Sequence, residues 1–404
     1  MEANHFINIG QFIAGHVTGR SQSLFARDLE AYRSAISKEI QHKSVLVIGG
    51  AGTIGSSFIK ALLPYQPAKL VVVDINENGL TELVRDCRSS TGISLPTDFK
   101  SYPINFGDPV FKKMFRAEGP FHIVANFAAH KHVRSEKDPF SIEAMIDNNV
   151  LKAKELLDLL LTSKPEHFFC VSTDKAANPV NIMGASKKLM EEMILAYSGE
   201  MNITTARFAN VAFSNGSLLA GFIERMMKRQ PLSCPSDVKR YFVSPQESGE
   251  ICLLACVLGQ SGDICFPKLE EKDLVNFAGI ARSFLHHMGL QEDVCKTEEE
   301  ARTKMPEPGS NKYPVYFFES ETTGEKLFEE FFTGEEHVIT DKFEALGVIK
   351  GASRRSKEEL NQILTDVKKL FERGADKAAI VELLQILLPN FQHTETGMNL
   401  DQKM

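Results

Sequence analysis

No uninterrupted apolar run in this 404-residue sequence approaches the roughly 18–20 residues that a membrane-spanning helix needs. The N-terminus also lacks a charged segment followed by an apolar one, so we expect no export and a cytoplasmic protein. Basic residues do not outnumber acidic ones. The formal net charge of −7 gives no reason to expect nucleic acid as a partner.

The seven cysteines form no Cys-x-x-Cys pair. We therefore expect neither a disulfide framework nor a zinc site, in keeping with a reducing compartment. Cys252 and Cys256 lie four residues apart in an apolar run, a spacing that predicts buried thiols on a helix. The remaining composition, 43% hydrophobic and 25% charged residues, is typical of a soluble globular protein.

From Ser44 onwards, short apolar strands alternate with turns and helices. This alternation predicts an α/β fold with a Rossmann-like, doubly wound parallel sheet. The predicted strands cover residues 44–48, 69–73, 122–127, 167–173 and 204–208. The predicted helices cover residues 54–63, 79–89, 140–162 and 183–199.

Changes in pattern divide the chain into four parts. Residues 1–43 have helical, amphipathic periodicity and are expected to form an N-terminal extension, and residues 44–215 a Rossmann-like domain, whose ligand the next motif indicates. Prolines then interrupt shorter elements, so residues 216–350 are expected to form a smaller substrate-binding region interleaved with the main sheet. Residues 351–404 contain two amphipathic helices, which would pack on the body or on a neighbouring subunit of a homo-oligomer.

A glycine-rich loop joins the first strand to its helix, with the sequence Gly-Gly-Ala-Gly-Thr-Ile-Gly over residues 49–55. Glycines at every third position let a diphosphate approach the backbone amides and the positive end of the helix. Asp74 ends the second strand, where a carboxylate can hydrogen-bond the adenosine ribose, and no Arg or Lys follows it at 75–77 to receive a 2′-phosphate. NAD is therefore favoured over NADP. The predicted loop contacts are Gly49, Gly52, Thr53, Ile54 and Gly55.

Two further motifs carry candidate chemistry. Asp174 and Lys175 directly follow a predicted strand, and parallel α/β sheets bind ligands at the carboxyl ends of their strands. Taken alone, the pair would be a surface turn or a helix cap with a solvated lysine. Met183 and Lys187 lie one turn apart on a predicted helix, and the Met183 thioether cannot carry a proton.

These motifs occur in one order with two others, the run Ala-Ala-His-Lys-His-Val at 128–133 and Arg-Phe-Ala-Asn-Val at 207–211. Over about residues 15–350, the series resembles the extended short-chain dehydrogenases/reductases of the nucleotide-sugar 4,6-dehydratase type. The subgroup it is most similar to comprises polysaccharide biosynthesis proteins that act on UDP-N-acetylglucosamine. Met183 stands where most relatives have a catalytic tyrosine, and some of the large 4,6-dehydratases also carry methionine there.

The resemblance implies a lyase that uses bound NAD. A hydride leaves carbon 4 of the sugar, water is eliminated across carbons 5 and 6, and the hydride returns to carbon 6. Asp174 is then expected to be the acid, which requires a raised pKa, and Lys175 the base at carbon 5, which requires a lowered pKa. Thr173 would hydrogen-bond the oxygen on carbon 4, and Lys187 would hold the nicotinamide ribose. The acceptor of the carbon-4 hydroxyl proton stays open between Lys187 through water, Asp174 and the cofactor ribose.

The same resemblance implies the remaining contacts. Ala128 and Ala129 would lie beside the cofactor and Lys131 would reach the sugar or the cofactor. The other expected substrate contacts are His132, Asn210 and Arg240, the last of which suits bidentate binding of the diphosphate. A metal held by His130 and His132 would need more ligands than the sequence offers, so none is predicted.

The late run Gly-Glu-Lys-Leu-x-Glu-Glu at 324–330 also resembles the family, with one departure. Thr322 and Thr323 replace the common Arg-Pro before it, whose arginine helps hold the diphosphate, so the nucleotide stays open between UDP and GDP. The four glutamates of this region are expected to form a solvated helix face. They are Glu329, Glu330, Glu335 and Glu336.

Two alternative functions stay open at the level of sequence. A nucleotide-sugar 4-epimerase also oxidises carbon 4, but it returns the hydride there and needs no acid–base pair for elimination. A non-catalytic sensor of NAD or a nucleotide sugar would explain Met183, but it would give no reason to keep Asp174, Lys175 and Lys187.

Overall fold

The computed structural model describes residues 7–304, 310–320, 329–352, 355–393 and 395. Its strands, in chain order, are β1 (Ser44–Ile48), β2 (Lys69–Val73), β3 (Asp98–Tyr102), β4 (Ile123–Asn126), β5 (His167–Val171), β6 (Ile203–Ala206), β7 (Asn210–Val211), β8 (Leu232–Pro235), β9 (Lys239–Val243), β10 (Asp263–Pro267), β11 (Leu274–Asn276), β12 (Gln291–Cys295), β13 (Lys312–Phe318), β14 (His337–Ile339) and β15 (Leu346–Lys350).

The α-helices are α1 (Ile9–Phe12), α2 (Ala26–Ala31), α3 (Arg33–Ile40), α4 (Thr53–Leu62), α5 (Glu77–Ser89), α6 (Pro109–Glu118), α7 (Pro139–Ile146), α8 (Lys152–Leu161), α9 (Ile182–Ala196), α10 (Leu218–Met227), α11 (Pro245–Leu258), α12 (Phe277–His287), α13 (Glu298–Thr303), α14 (Lys357–Glu372) and α15 (Lys377–Leu387). None of the helices in the described residues is both long and apolar enough to cross a membrane.

One large sheet organises the molecule. Its nine strands lie in the order β14-β15-β10-β6-β5-β4-β1-β2-β3; the seven from β10 to β3 are parallel, and β15 and β14 run antiparallel at the other edge. The central strands are buried on both faces because helices cover both sides. The α/β fold with a Rossmann-like parallel sheet, predicted from the sequence, is confirmed.

The register aligns the carboxyl ends of the central strands. Ile48 at the end of β1 lies opposite Val73 of β2 and Asn126 of β4, and Val171 of β5 lies opposite Ala206 of β6. The residues that follow these strands therefore emerge at one edge of the sheet, where α/β folds bind their ligands. This edge carries the glycine loop, Asp74 and the turn at Asp174.

The extensions at the two ends of the chain pack on opposite faces of the sheet. Helices α14 and α15 join the apolar cluster that includes α9, whereas Phe25, Ile36 and Ile40 of the N-terminal segment join the cluster that includes α4 and α11. Phe12 and Val17 pack instead on the region that contains two further three-stranded sheets, β11-β9-β7 and β12-β13-β8. The N-terminal segment thus contacts both the helices that cover the large sheet and the region of the two smaller sheets.

Before residue 215, the sequence patterns did not predict the strands β3 and β7 or the helix α6. Strand β3 has no apolar alternation and is half-exposed at the end of the sheet, so the run Asp98–Tyr102 gives no strand signal, and α6 after it was not predicted either. The other predicted elements before residue 215 are present with ends shifted by a few residues. The expected buried thiols are confirmed, because all seven cysteines are buried.

The contact between α4 and α11 gives a test of the packing. A Cβ at Gly249 on α11 would lie 2.2 Å from the Ser57 backbone oxygen, so Gly249→Ala would force the two helices apart. We expect a loss of about 1–3 kcal/mol, measured as a lower midpoint of thermal unfolding. Gly279→Ala on α12 is the control, because nothing lies within 4 Å of its Cβ position. Equal midpoints for the two variants would contradict this packing argument.

Candidate active site

The glycine loop is folded tightly against the ends of β2 and β4. The Gly49 N–H donates to the Val73 carbonyl oxygen at 2.7 Å, and Gly49 has a φ of +76°, which favours glycine. A Cβ at this position would lie 2.5 Å from the Ala128 nitrogen, and one at Gly55 would lie 2.3 Å from the Gly49 oxygen. Both glycines are therefore required by close approach of backbone to backbone.

Asp74 at the end of β2 braces this loop. Its Oδ2 accepts a hydrogen bond from the Ala51 N–H at 3.0 Å, and its Oδ1 accepts one from the Asn76 N–H at 2.9 Å. These bonds hold the carboxylate beside the loop. The position expected from the sequence is thus occupied by an ordered side chain.

A cavity of about 310 Å³ lies over the loop. Its walls contain all the predicted loop contacts together with Asp74, Ala128 and Ala129, and Lys187 is not among its lining residues. Sequence analysis missed lining residues that follow β3 or lie on the helical segment after residue 140. They include Ile104, Asn105, Phe106, Asn148 and Lys152.

A buried asparagine fixes the loop that follows β4. Asn149 lies in a π-helical turn between α7 and α8, a local distortion that is frequent at functional sites. Its Oδ1 accepts from the His130 N–H at 2.8 Å, and its Nδ2 donates to the His130 carbonyl at 2.9 Å and to Ser186 Oγ at 3.1 Å. Asn149 thereby ties the loop of residues 128–132 to α9. In the sequence, the only sign of this role is the polar pair Asn148-Asn149 inside an apolar helical segment.

The turn after β5 presents Thr173, Asp174 and Lys175. Asp174 is 4% exposed, and its Oδ1 accepts from Thr173 Oγ1 at 2.9 Å, from the Lys175 N–H at 2.9 Å and from Lys175 Nζ at 3.1 Å. The backbone N–H of Asp174 donates to the Phe208 carbonyl at 3.1 Å, which anchors the turn to the segment after β6. The three side chains therefore form one hydrogen-bonded group, in which Asp174 is buried and Thr173 and Lys175 are part-buried.

The expectation of a lowered pKa for Lys175 is wrong in this structure. Burial by itself would lower that pKa, but the carboxylates of Asp174 and Glu329 outweigh burial and raise it above its ordinary value. Glu329 Oε1 lies 3.5 Å from Lys175 Nζ, and Arg240 is a nearby charge that opposes the shift. The ammonium form is the resting state of Lys175.

Two of the four glutamates expected to form a solvated face, Glu330 and Glu335, are exposed, but the other two are not. Glu329 is 4% exposed beside Lys175, and the side chain of Glu336 is 12% exposed and bonded to Arg207. The prediction failed because the partners of both carboxylates lie far away in sequence. The run 321–328, with Thr322, Thr323 and the Gly-Glu-Lys element, lies outside the described residues.

Helix α9 packs directly on this turn. A Cβ at Gly184 would lie 2.6 Å from the Lys175 carbonyl oxygen, so only glycine allows the approach. Met183 is buried, and Lys187 Nζ donates to the Val171 carbonyl at 2.6 Å at the end of β5. Burial lowers the pKa of Lys187. The structure thus joins Met183 and Lys187 to the Asp174 turn, with the Lys187 amine directed at the strand.

Glu136 is a buried carboxyl that sequence analysis missed. It is 4% exposed, and its Oε1 accepts from the Met183 N–H at 3.0 Å at the start of α9. Burial raises the pKa of Glu136 to about 7, although the backbone hydrogen bonds from Met183 and Ile182 oppose this shift. The group therefore titrates near neutral pH beside the helix that carries Met183.

Two further cavities continue from the loop of residues 128–132. One of about 260 Å³ is lined by Lys131, His132 and Asn210, and shares Lys131 with the glycine-loop cavity. The other, of about 550 Å³, shares His132 with it and extends along α10 and β8. Arg240 on β9 is 5% exposed and close enough to Lys175 to affect its pKa. Lys131, His132 and Asn210 thus line one cavity, whereas Arg240 and the Asp174 turn are not among the lining residues of these three cavities.

Comparison with known proteins identifies the family. The family model described as "Polysaccharide biosynthesis protein" matches residues 45–351, which is most of the chain. The chain belongs to this family. This membership confirms, at the level of the family, the resemblance that was seen in the sequence.

Relatives support this assignment with moderate identity. An uncharacterized membrane protein of Methanocaldococcus jannaschii is 33% identical over 59% of this chain and 72% of its own length. The probable polysaccharide biosynthesis protein EpsC of Bacillus subtilis is 28% identical over 74% of this chain, and the capsular polysaccharide biosynthesis protein CapD of Staphylococcus aureus is 25% identical over 85%. The chain spans about half the length of the latter two, 49% and 56%.

Solved structures share the fold. Pen from Bacillus thuringiensis superposes with a TM-score of 0.62 at 19% identity, covering 81% of this chain and 98% of that one. DesIV, a dTDP-glucose 4,6-dehydratase from Streptomyces venezuelae solved with NAD bound, has a TM-score of 0.54 at 18% identity over 72% of this chain and 88% of its own. A UDP-glucuronic acid 4-epimerase from Bacillus cereus, also with NAD, has the same TM-score at 17% identity over 71% and 89%. At these identities the likeness concerns the fold.

The raised pKa of Glu136 predicts a pH-dependent stability. Between its ordinary value of 4.5 and about 7, the folded protein holds a proton that the unfolded chain has released, so the group destabilises the fold as pH rises. The full effect is about 3 kcal/mol. Glu136→Gln keeps the acceptor for the Met183 N–H and removes this cost. We expect the variant to gain unfolding free energy over the wild type between about pH 5 and about pH 8.

The exposed Glu143 on α7 provides the control, as Glu143→Gln should show no such pH-dependent gain. Unfolding midpoints of the wild type and both variants at the two pH values measure the effect. A constant difference between Glu136→Gln and the wild type at both pH values would contradict the assigned pKa.

Proposed function

We propose that the chain is an NAD-dependent nucleotide-sugar 4,6-dehydratase, with UDP-N-acetylglucosamine as the first candidate substrate. The observation that carries the proposal is the pair of buried Asp174 and part-buried Lys175, joined by a hydrogen bond of 3.1 Å at the carboxyl edge of the sheet. Elimination of water needs an acid for the departing hydroxyl and a base at carbon 5, whereas a 4-epimerase exchanges only the carbon-4 hydroxyl proton and needs no such pair for elimination. The pair therefore favours dehydration.

The fit to NAD rests on the glycine-loop cavity. Gly49 and Gly55 leave room for a diphosphate at the start of α4, and Asp74 is held where it can receive a ribose hydroxyl. Ile75 follows Asp74 and is 70% exposed, and residues 75–77 offer no cation for a 2′-phosphate. Bound NAD would supply the acceptor for the carbon-4 hydride. Lys187 would act near the nicotinamide ribose after turning from the Val171 carbonyl.

The two neighbouring cavities that share His132, between Lys131 and β8, offer a place for the nucleotide sugar. Its sugar end would reach towards the Asp174 turn, and the buried guanidinium of Arg240 would bind the diphosphate. Asp174 would protonate the departing hydroxyl, and Lys175 would act at carbon 5. Thr173, bonded to Asp174 Oδ1, would face the oxygen on carbon 4. The names of EpsC and CapD agree with a role in polysaccharide biosynthesis.

Turnover in heavy water tests the reaction class. The purified protein is incubated with UDP- and GDP-N-acetylglucosamine, and the products are analysed by mass spectrometry and NMR. We expect loss of water with one solvent deuteron at carbon 5, since the base exchanges its proton with solvent. A carbon-4 epimer without loss of water would establish an epimerase, and tight binding without turnover would establish a sensor.

Asp174→Asn tests the acid. The amide keeps an acceptor for Thr173 and the Lys175 N–H but cannot donate a proton as an acid, so we expect kcat to fall by about 10²–10⁴-fold. Cofactor binding should persist, because Asp174 does not line the glycine-loop cavity. Asp366→Asn on the outer surface of α14 is the control and should leave kcat unchanged. Unchanged turnover of Asp174→Asn would refute its role as the acid.

A further inference from the structure

The resting charge of Lys175 is at odds with a base at carbon 5. Its Nζ lies 3.1 Å from Asp174 Oδ1 and 3.5 Å from Glu329 Oε1, so it carries a proton that must leave before the amine can accept another. Among the described residues, the charged groups that face it are Asp174 on its own turn, Glu329 and Arg240. Two carboxylates and one cation therefore decide where the Lys175 proton goes.

The segment that carries Glu329 is held in place by the carbonyl and the ring of Phe331. The carbonyl of Phe331 accepts from Arg207 Nη1 at 2.9 Å, and its ring packs on Tyr241 and Phe266 with centroid distances of 5.5 and 6.0 Å. Tyr241 directly follows Arg240 on β9. The segment that carries Glu329 is thus packed on β9, the strand of Arg240, and on β10.

Neighbouring carboxylates do not compete for this position. Glu330 accepts from Asn178 Nδ2 at 2.9 Å on the exposed side, and Glu336 is bonded to Arg207 through both oxygens. Asp174 Oδ1 accepts from Thr173 Oγ1, the Lys175 N–H and Lys175 Nζ, and in the proposed dehydration Asp174 is the group that takes the carbon-4 hydroxyl proton through Thr173. Glu329 is the remaining carboxylate at Lys175 among the described residues.

We propose that Glu329 accepts the Lys175 proton and so frees the amine that deprotonates carbon 5. The proposal rests on the dehydratase function above. Glu329 acts through Lys175 and is therefore a positioning and proton-holding residue for the reaction. Thr173 and Asp174 handle the carbon-4 hydroxyl proton, for which Met183 has no proton-carrying group, and Lys175 and Glu329 handle the carbon-5 proton.

The protons balance over one turnover. As the carbon-4 hydride moves to the oxidised nicotinamide, the hydroxyl proton passes through Thr173 to Asp174, and the Lys175 ammonium gives its proton to Glu329. The Lys175 amine then takes the carbon-5 proton while Asp174 protonates the carbon-6 hydroxyl, which leaves as water. The hydride returns to carbon 6, Lys175 returns a proton to carbon 5, and Glu329 returns its proton to Lys175.

Three variants test the proposal in the full-length enzyme. Glu329→Gln keeps the size and polarity of the side chain but cannot take the proton, Glu329→Asp retains the carboxylate, and Glu330→Gln is the matched control on the next residue. The measurements are kcat against pH, carbon-5 exchange in heavy water, and the near-ultraviolet absorbance of reduced cofactor in a single turnover.

We expect Glu329→Gln to lower kcat about 10²-fold or more while cofactor reduction persists, because carbon-4 oxidation does not need Glu329. Lys175 must then lose its proton to solvent, so kcat of this variant should rise about tenfold per pH unit near neutrality, where the wild type is flat. Carbon-5 exchange should fall with kcat. Glu329→Asp should restore part of the rate and the flat profile, and Glu330→Gln should match the wild type.

These measurements distinguish failure of the Glu329 proposal from failure of the proposed dehydratase function. A wild type that dehydrates while Glu329→Gln keeps its rate and flat pH profile overturns the role of Glu329 alone. A loss of kcat in Glu329→Gln with no change in the pH profile, and no rescue by Glu329→Asp, shows a merely structural role and also overturns it. A wild type that never eliminates water from either nucleotide sugar overturns the dehydratase function and this proposal together.

Discussion

The buried guanidinium of Arg207 is the interaction on which the site depends. Arg207 is fully buried, and its donors reach both oxygens of Glu191 and of Glu336 and the Phe331 carbonyl at 2.8–2.9 Å. A buried charge is tolerated only when it is paired and hydrogen-bonded, and removing one partner typically costs about 3–5 kcal/mol. Because Glu191 also accepts from Ser172 at 2.6 Å, the end of β5, helix α9 and the segment before β14 are fastened at one point.

The parts of the site predicted from the sequence are those that local chemistry determines. The glycine loop could be located because backbone contacts at Gly49 and Gly55 exclude every other residue, and Asp74 because it ends a strand next to that loop. The Asp174 turn could be located because it follows an apolar strand in a parallel sheet. In each case the signal and the structure lie within a few residues of one another, so pattern and register suffice.

The groups that sequence analysis missed or misjudged are those whose partners lie far along the chain. Asn149, Glu136 and Glu329 have their partners at His130, Met183 and Lys175, and no periodicity marks such contacts. The same limit applies to charge. A lysine next to an aspartate gives a pair from sequence alone, but burial, Glu329 and Arg240 also shift the pKa of Lys175, and only the fold brings these influences together.

These long-range contacts also explain how the site can accommodate Met183. Its backbone N–H is bound by Glu136, and its side chain is buried, so the start of α9 is held in place without a phenol. Lys187 on the same helix is turned to the Val171 carbonyl, and burial lowers its pKa. Helix α9 therefore helps to hold the other parts of the site in position. On the proposed mechanism the proton-carrying groups come from the turn after β5 and from the segment fastened by Arg207, and these two segments meet at the Lys175 amine.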